Sequence, residues 1–207
     1  GGKDSQAKLY VIEDSALNAF ATGRAPKHAV VCVTRGLLEK LDRTELEGVI
    51  GHELSHIANY DTRLMGIVSI LAGMIVLIAD WFLRISWRSG SDDSDNKAGP
   101  FLMVVAMVLA LLSPIIAQLI QLAISRRREF LADASSAKLT RFPEGLARAL
   151  EKIARDREPL EAANKATAHL YIANPLKNMH DAICWCAGLF NTHPPVEERI
   201  KVLRAMV

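Results

Sequence analysis

The chain has 207 residues, 50% of them hydrophobic, and its mean hydropathy of +0.15 is high for a water-soluble protein that is 23% charged. Its 25 basic side chains nearly cancel 23 acidic ones, and the net charge of +2 is not striped along one helix, so nothing argues for a nucleic-acid partner. Three cysteines, an odd number, fit reduced thiols rather than a disulfide framework, and a lone Cys184-Trp-Cys186 reads as plain buried small residues.

The opening Gly1-Gly2-Lys3-Asp4 offers no charged-then-apolar leader to read as a signal peptide. Residues 8–12 and 28–33 are short β-branched runs bounded by turn residues, which predicts strands. Between them, Asn18-Ala19-Phe20-Ala21-Thr22-Gly23 reads as a further strand or as a turn. Thr34 starts a short helical stretch through Leu41. Thr44 and Glu47, three apart, predict a capping box that opens the next helix, for which Asn59 and Asp61 are stop residues. Gly48 and Gly51 on that helix predict close packing against a strand.

Two segments carry the apolar excess. Residues 64–83 and 101–124 hold one acid and no base, and each is long enough as a helix to span a bilayer core of about 30 Å, the second with tilt or a bend at Pro114. Trp81 and Trp87 suit an interfacial belt, and residues 84–100 form a polar loop on the far side. Arg126-Arg127-Arg128 mark the cytoplasmic side, to which two spans return the chain. The organisation expected is therefore residues 1–63 and 125–207 as the two halves of a catalytic domain, joined through the hairpin. Beyond it, apolar spacing predicts an amphipathic helix over 143–157; further helices are expected over about 160–172, ending before Asn174-Pro175, and over 195–206, where Pro195, Glu197 and Glu198 suit a helix start.

His52-Glu53-Leu54-Ser55-His56 carries the chemistry. Four residues on a helix bring both imidazoles to one face, a spacing that lets both bind one Zn²⁺. Glu53 points beside the open coordination position, where it can take a proton from the water that zinc activates and deliver it to the leaving amine. Glu129 and Asp133, four apart on the next predicted helix, offer a third ligand and an acceptor for the far ring nitrogen of one histidine. Seven residues separate His56 from Leu64 and four separate Ile124 from Glu129, so the zinc is expected about 10 to 15 Å from the bilayer surface. His193 and Arg199 stay open between a role at the oxyanion and a structural one. His28, His169 and His180 have no partner pattern.

These residues, with Glu129 to Asp133, Asn18 to Gly23, and Thr192-His193-Pro194-Pro195 followed by Glu198-Arg199-Ile200, resemble the HtpX-type family of membrane-integrated zinc endopeptidases, relatives of the CAAX prenyl proteases. The resemblance covers nearly the whole chain. It implies an α+β gluzincin-type fold, mainly helical with a small sheet and two transmembrane helices. One Zn²⁺ per chain would sit on His52, His56 and Glu129, with Glu53 as general base, His193 at the catalytic centre, and Asp133 and Arg199 behind the ligands. Asn18, Ala19 and Phe20 match an edge segment that pairs with substrate backbone. The family's setting is the bacterial inner membrane, with the site facing the cytoplasm and misfolded membrane proteins as substrates, and its members carry two further spans upstream. A processing peptidase of narrow specificity and a zinc-stabilised scaffold without activity are the rival readings.

Overall fold

The structure, a computed structural model, describes residues 8–23, 28–89, 98–156 and 194–206. It divides into two compact units, one formed by Gly1–Arg63 with Ser125–Val207 and the other by Leu64–Ile124.

In the first unit, β1 (Lys8–Ile12), β2 (Ala19–Thr22) and β3 (Val30–Thr34) form one sheet in the order β1-β3-β2. β1 runs parallel to β3 and β2 antiparallel to it, with Phe20 opposite Cys32. The segment around Phe20, open between strand and turn from sequence, is thus an edge strand. Thr34 closes the sheet and starts α1 (Arg35–Lys40). Its hydroxyl accepts from the Leu37 amide at 3.3 Å and the Asn18 amide at 3.0 Å, satisfying groups that no ladder reaches.

α2 (Arg43–Ala58) carries the two site histidines. It begins earlier than the sequence predicts. Asp42, not Thr44, is the cap: its carboxylate accepts from the Glu45 amide at 2.9 Å while Glu45 reaches back to the Asp42 amide at 2.9 Å. Both segments satisfy the same three-residue rule, and the carboxylate, among the strongest capping groups, wins. The two glycines also pack differently from expectation, against helices and not a strand. A Cβ on Gly48 would stand 2.7 Å from the backbone nitrogen of Leu146, and one on Gly51 would stand 2.9 Å from Ser136 Oγ.

α3 (Asp61–Ser89) follows after a two-residue turn, and α4 (Ala98–Thr140) is a single helix of 43 residues, about 65 Å long. The apolar segment of 101–124 and the Glu129 segment, expected on separate helices, are therefore one element: nothing between Ile124 and Glu129 breaks it. Pro114 does not end it either. Proline denies the Ala110 carbonyl its usual donor, and the Ser113 hydroxyl donates to that carbonyl at 3.4 Å.

α5 (Pro143–Arg155) and α6 (Val196–Arg204) complete the first unit. Leu146, Leu150 and Ile153 of α5 pack with Val31 and Val33 of β3, Leu37, Val49 of α2 and Leu203 of α6 in one core. Each fully buried aliphatic side chain there contributes about 1.5 to 3 kcal/mol, enough to clamp α2 between sheet and helices. The helix expected over about 160–172, along with His169, His180, Cys184, Cys186 and His193, lies outside the described residues.

The second unit has the opposite character. Among the described residues, two helices are long and apolar enough to cross a membrane, Asp61–Ile85 and the run beginning at Phe101, and side chains such as Ile70, Leu77, Phe101 and Leu111 are more than half exposed.

Candidate metal centre

α2 and α4 bring three donors together. His52 and His56, one turn apart on α2, stand edge to face with ring centroids 4.6 Å apart and their Nε2 atoms 3.1 Å apart. Glu129 on α4 places Oε2 3.6 Å from His52 Nε2 and Oε1 3.6 Å from His56 Nε2. Tetrahedral zinc with bonds of about 2.0 to 2.1 Å requires donors about 3.3 Å from one another. Separations of 3.1 and 3.6 Å bracket that value, so the three residues fit one such ion.

The distal ring nitrogens are also committed. His52 Nδ1 lies 2.9 Å from Asp133 Oδ1, and His56 Nδ1 lies 2.7 Å from Asp61 Oδ2. A nitrogen facing a carboxylate carries the hydrogen, which leaves each Nε2 lone pair for the cation. Behind Asp133, the Arg199 fork donates from Nε at 2.8 Å and Nη2 at 2.7 Å, and its Nη1 lies 3.1 Å from Glu129 Oε2. Arg199 is only 1% exposed, and its guanidinium faces these two carboxylates.

Electrostatics agree with the donor set. The buried carboxylates Glu53, Asp61, Glu129 and Asp133 gather around the histidines with the guanidiniums of Arg128 and Arg199. With neutral imidazoles that assembly is short of two positive charges, the charge of one divalent ion. Burial pushes the His52 imidazole down, but Asp133 and Glu129 outweigh it and hold the ring at about 9. Burial likewise pushes Asp133 up, and Arg199 and His52 bring it below the usual carboxylate range. Glu53 is pushed up by burial against the pull of both histidines.

The Ala21 backbone, beside Glu53, offsets a little of that rise. Just before β2, the Asn18 carbonyl accepts from the Thr34 amide at 2.9 Å. Alternation along an antiparallel ladder then turns the Phe20 backbone toward β3 as well, and the Ala19 and Ala21 backbones toward the free edge. Of the three residues expected to meet substrate backbone, Ala19 alone turns its main chain that way, and it is itself 1% exposed in this structure. Asn18 is 3% exposed, and its amide Nδ2 has no hydrogen-bond partner among the described residues.

The family model for peptidase family M48 matches residues 2–207. The chain belongs to peptidase family M48. Among M48-type relatives, the protein named Protease HtpX homolog from Dictyoglomus turgidum is 50% identical over 201 residues, 96% of this chain and 63% of that protein. Its namesake from Streptococcus uberis is 47% identical over 204 residues, 96% of this chain and 67% of that one. The chain thus spans somewhat under two thirds of the length of the first of these relatives. The crystal structure of S. mikatae Ste24p shares the fold, with a TM-score of 0.58 at 22% identity over 95% of this chain and 46% of that one.

Within this M48 chain, two residues at the site were not foreseen as such. Asp61 reads as a helix stop and Arg128 as a mark of topology, yet both stand behind His56. The available signals were the five-residue step from His56 to Asp61 and the adjacency of Arg128 to Glu129.

Proposed function

We propose that this chain is the catalytic part of a membrane-bound, zinc-dependent endopeptidase that cuts internal peptide bonds of polypeptides. The observation that carries the reading is the triangle of His52, His56 and Glu129 donors with the Glu53 carboxylate buried beside it. Zn²⁺ held by those donors supplies Lewis acidity for a scissile carbonyl and for the attacking water.

The chain's own residues supply the remainder. Asp133 and Asp61 hold the ligand rings, and Arg199 holds Asp133. Glu53, with an affinity for protons raised by burial, removes a proton from the attacking water at its carboxylate and returns it to the departing amine. An extended peptide laid along the outer edge of β2, an edge strand among the described residues, would gain main-chain hydrogen bonds without side-chain selection, which favours broad specificity. His193 is the remaining candidate for stabilising the oxyanion.

A bilayer is the solvent that suits the second unit, because exposed apolar side chains over two such helices would drive aggregation in water. The arginine triplet after residue 124 supports a cytoplasmic site, and the bacterial relatives support an inner membrane. Short connections between ligands and apolar segments favour membrane proteins, misfolded or damaged ones above all, as substrates in protein quality control. A non-catalytic scaffold gains nothing from burying the Glu53 carboxylate.

The test is Glu53→Gln in the full-length protein in detergent. The expected result is wild-type zinc content by mass spectrometry with casein cleavage reduced at least about 1,000-fold. Retained cleavage would overturn the assignment of Glu53, and zinc-free wild-type protein would overturn the metal.

A further inference from the structure

His52 and His56 are held by unlike means. His52 is enclosed and backed by Asp133 and Arg199, whereas the His56 side chain is 22% exposed and contacts an acid from the next helix. That contact is not one a helix would make. Five residues on, a continuous helix would carry residue 61 about 140° round from residue 56.

A local break brings them together. α2 ends at Ala58 with Asn59 as its cap, and Tyr60 takes a φ of +56°, a left-handed conformation uncommon for a residue other than glycine. The helix is interrupted there, α3 starts at Asp61, and the Asp61 carboxylate lies 2.7 Å from His56 Nδ1. Asp61 does not stand alone. Arg128 donates to Asp61 Oδ1 through Nε and Nη2, and Nη2 also donates to the Asn59 carbonyl at 3.0 Å, a group left over at the end of α2. Asn59 Nδ2 adds a contact at 3.5 Å to Ser135 Oγ of α4.

We propose that Asp61 and Arg128 are a positioning pair for His56: the carboxylate fixes the ring, and the guanidinium fixes both the carboxylate and the turn that delivers it. The inference rests on the reading of His52, His56 and Glu129 as a zinc site. Arg128 and Glu129 are neighbours on α4, so one short stretch of that helix grips the same imidazole at both ends, Glu129 opposite Nε2 and Arg128 through Asp61 behind Nδ1. Within the arginine triplet, Arg128 is thereby set apart as the member that reaches Asp61 and the Asn59 carbonyl.

Zinc affinity by chelator competition, and the visible absorption of the Co²⁺-substituted full-length protein, test this directly. Asp61→Ala should weaken zinc binding about 10- to 100-fold and distort the tetrahedral Co²⁺ spectrum. Asp61→Asn, which keeps an oxygen for the Nδ1 hydrogen, should recover most of the affinity and the spectrum. Arg128→Gln should fall between them, and Arg127→Gln should match wild type. Should Asp61→Ala not fold, Asp61→Asn and Arg128→Gln carry the comparison, because the spectrum reports the ligand geometry of whatever protein is folded. Unchanged affinity and spectrum in folded Asp61→Ala or Arg128→Gln would overturn the positioning role. A wild-type protein that binds neither ion would instead overturn the zinc site itself.

Discussion

Replacing Arg199 by Leu is the sharpest test of how the centre is held. The guanidinium is 1% exposed and reaches Asp133 at 2.7 and 2.8 Å and Glu129 Oε2 at 3.1 Å. Solvent screening therefore offers no relief when it is lost. Breaking a buried pair from one side costs about 3 to 5 kcal/mol, because the carboxylates stay buried without their counter-charge. For a domain of this size that corresponds to a fall in Tm of about 6 to 20 °C. Thermal unfolding should be followed in chelated protein, so that metal linkage does not enter. The double variant Arg199→Leu with Asp133→Leu should regain much of the loss, since it removes both members of the main pair. A single variant within about 1 kcal/mol of wild type would refute the argument that this ion pair organises the core of the site.

Other expectations follow from packing and titration. Gly48→Ala drives a Cβ to 2.7 Å from the Leu146 backbone and should cost about 1 to 3 kcal/mol in thermal unfolding, whereas Gly66→Ala, with nothing within 4 Å, should be neutral or slightly stabilising. Asp42→Ala removes the cap of α2 and should cost about 1 kcal/mol by denaturant titration, while Thr44→Ala should cost less, since Thr44 is not the cap. With zinc held as proposed, the ion and a proton would compete for His52, whose imidazole is held at about 9 by Asp133 and Glu129. Apparent zinc affinity at this ring should therefore rise about tenfold per pH unit from 7 to 9 and then level off, as read by competition with a pH-characterised chelator.

The elements legible in the sequence are those whose cause is local. β1, β3, the HELSH helix and the apolar runs follow from periodicity and residue type, and so does the pairing of His52 with His56. Glu129 and Asp133 are legible as a pair because four residues on a helix share a face. What escaped depends on contacts that spacing does not encode. The capping box moved from Thr44 to Asp42 because two overlapping sites obey one rule and the stronger acceptor wins. Gly48 and Gly51 meet α5 and α4, partners about 90 residues away. The role of Asp61 depends on the left-handed Tyr60, a backbone conformation that no pattern of side chains announces at a tyrosine. The continuity of α4 was obscured by the change from apolar to charged residues after Ile124, which marks a change of surroundings and not of backbone.

Zinc K-edge absorption of the purified full-length protein addresses the central claim most directly. Two imidazoles with oxygen donors at about 2.0 to 2.2 Å, and no sulfur, form the shell expected of His52, His56 and Glu129. A shell with one imidazole or none, or with a sulfur ligand at about 2.3 Å, would contradict it.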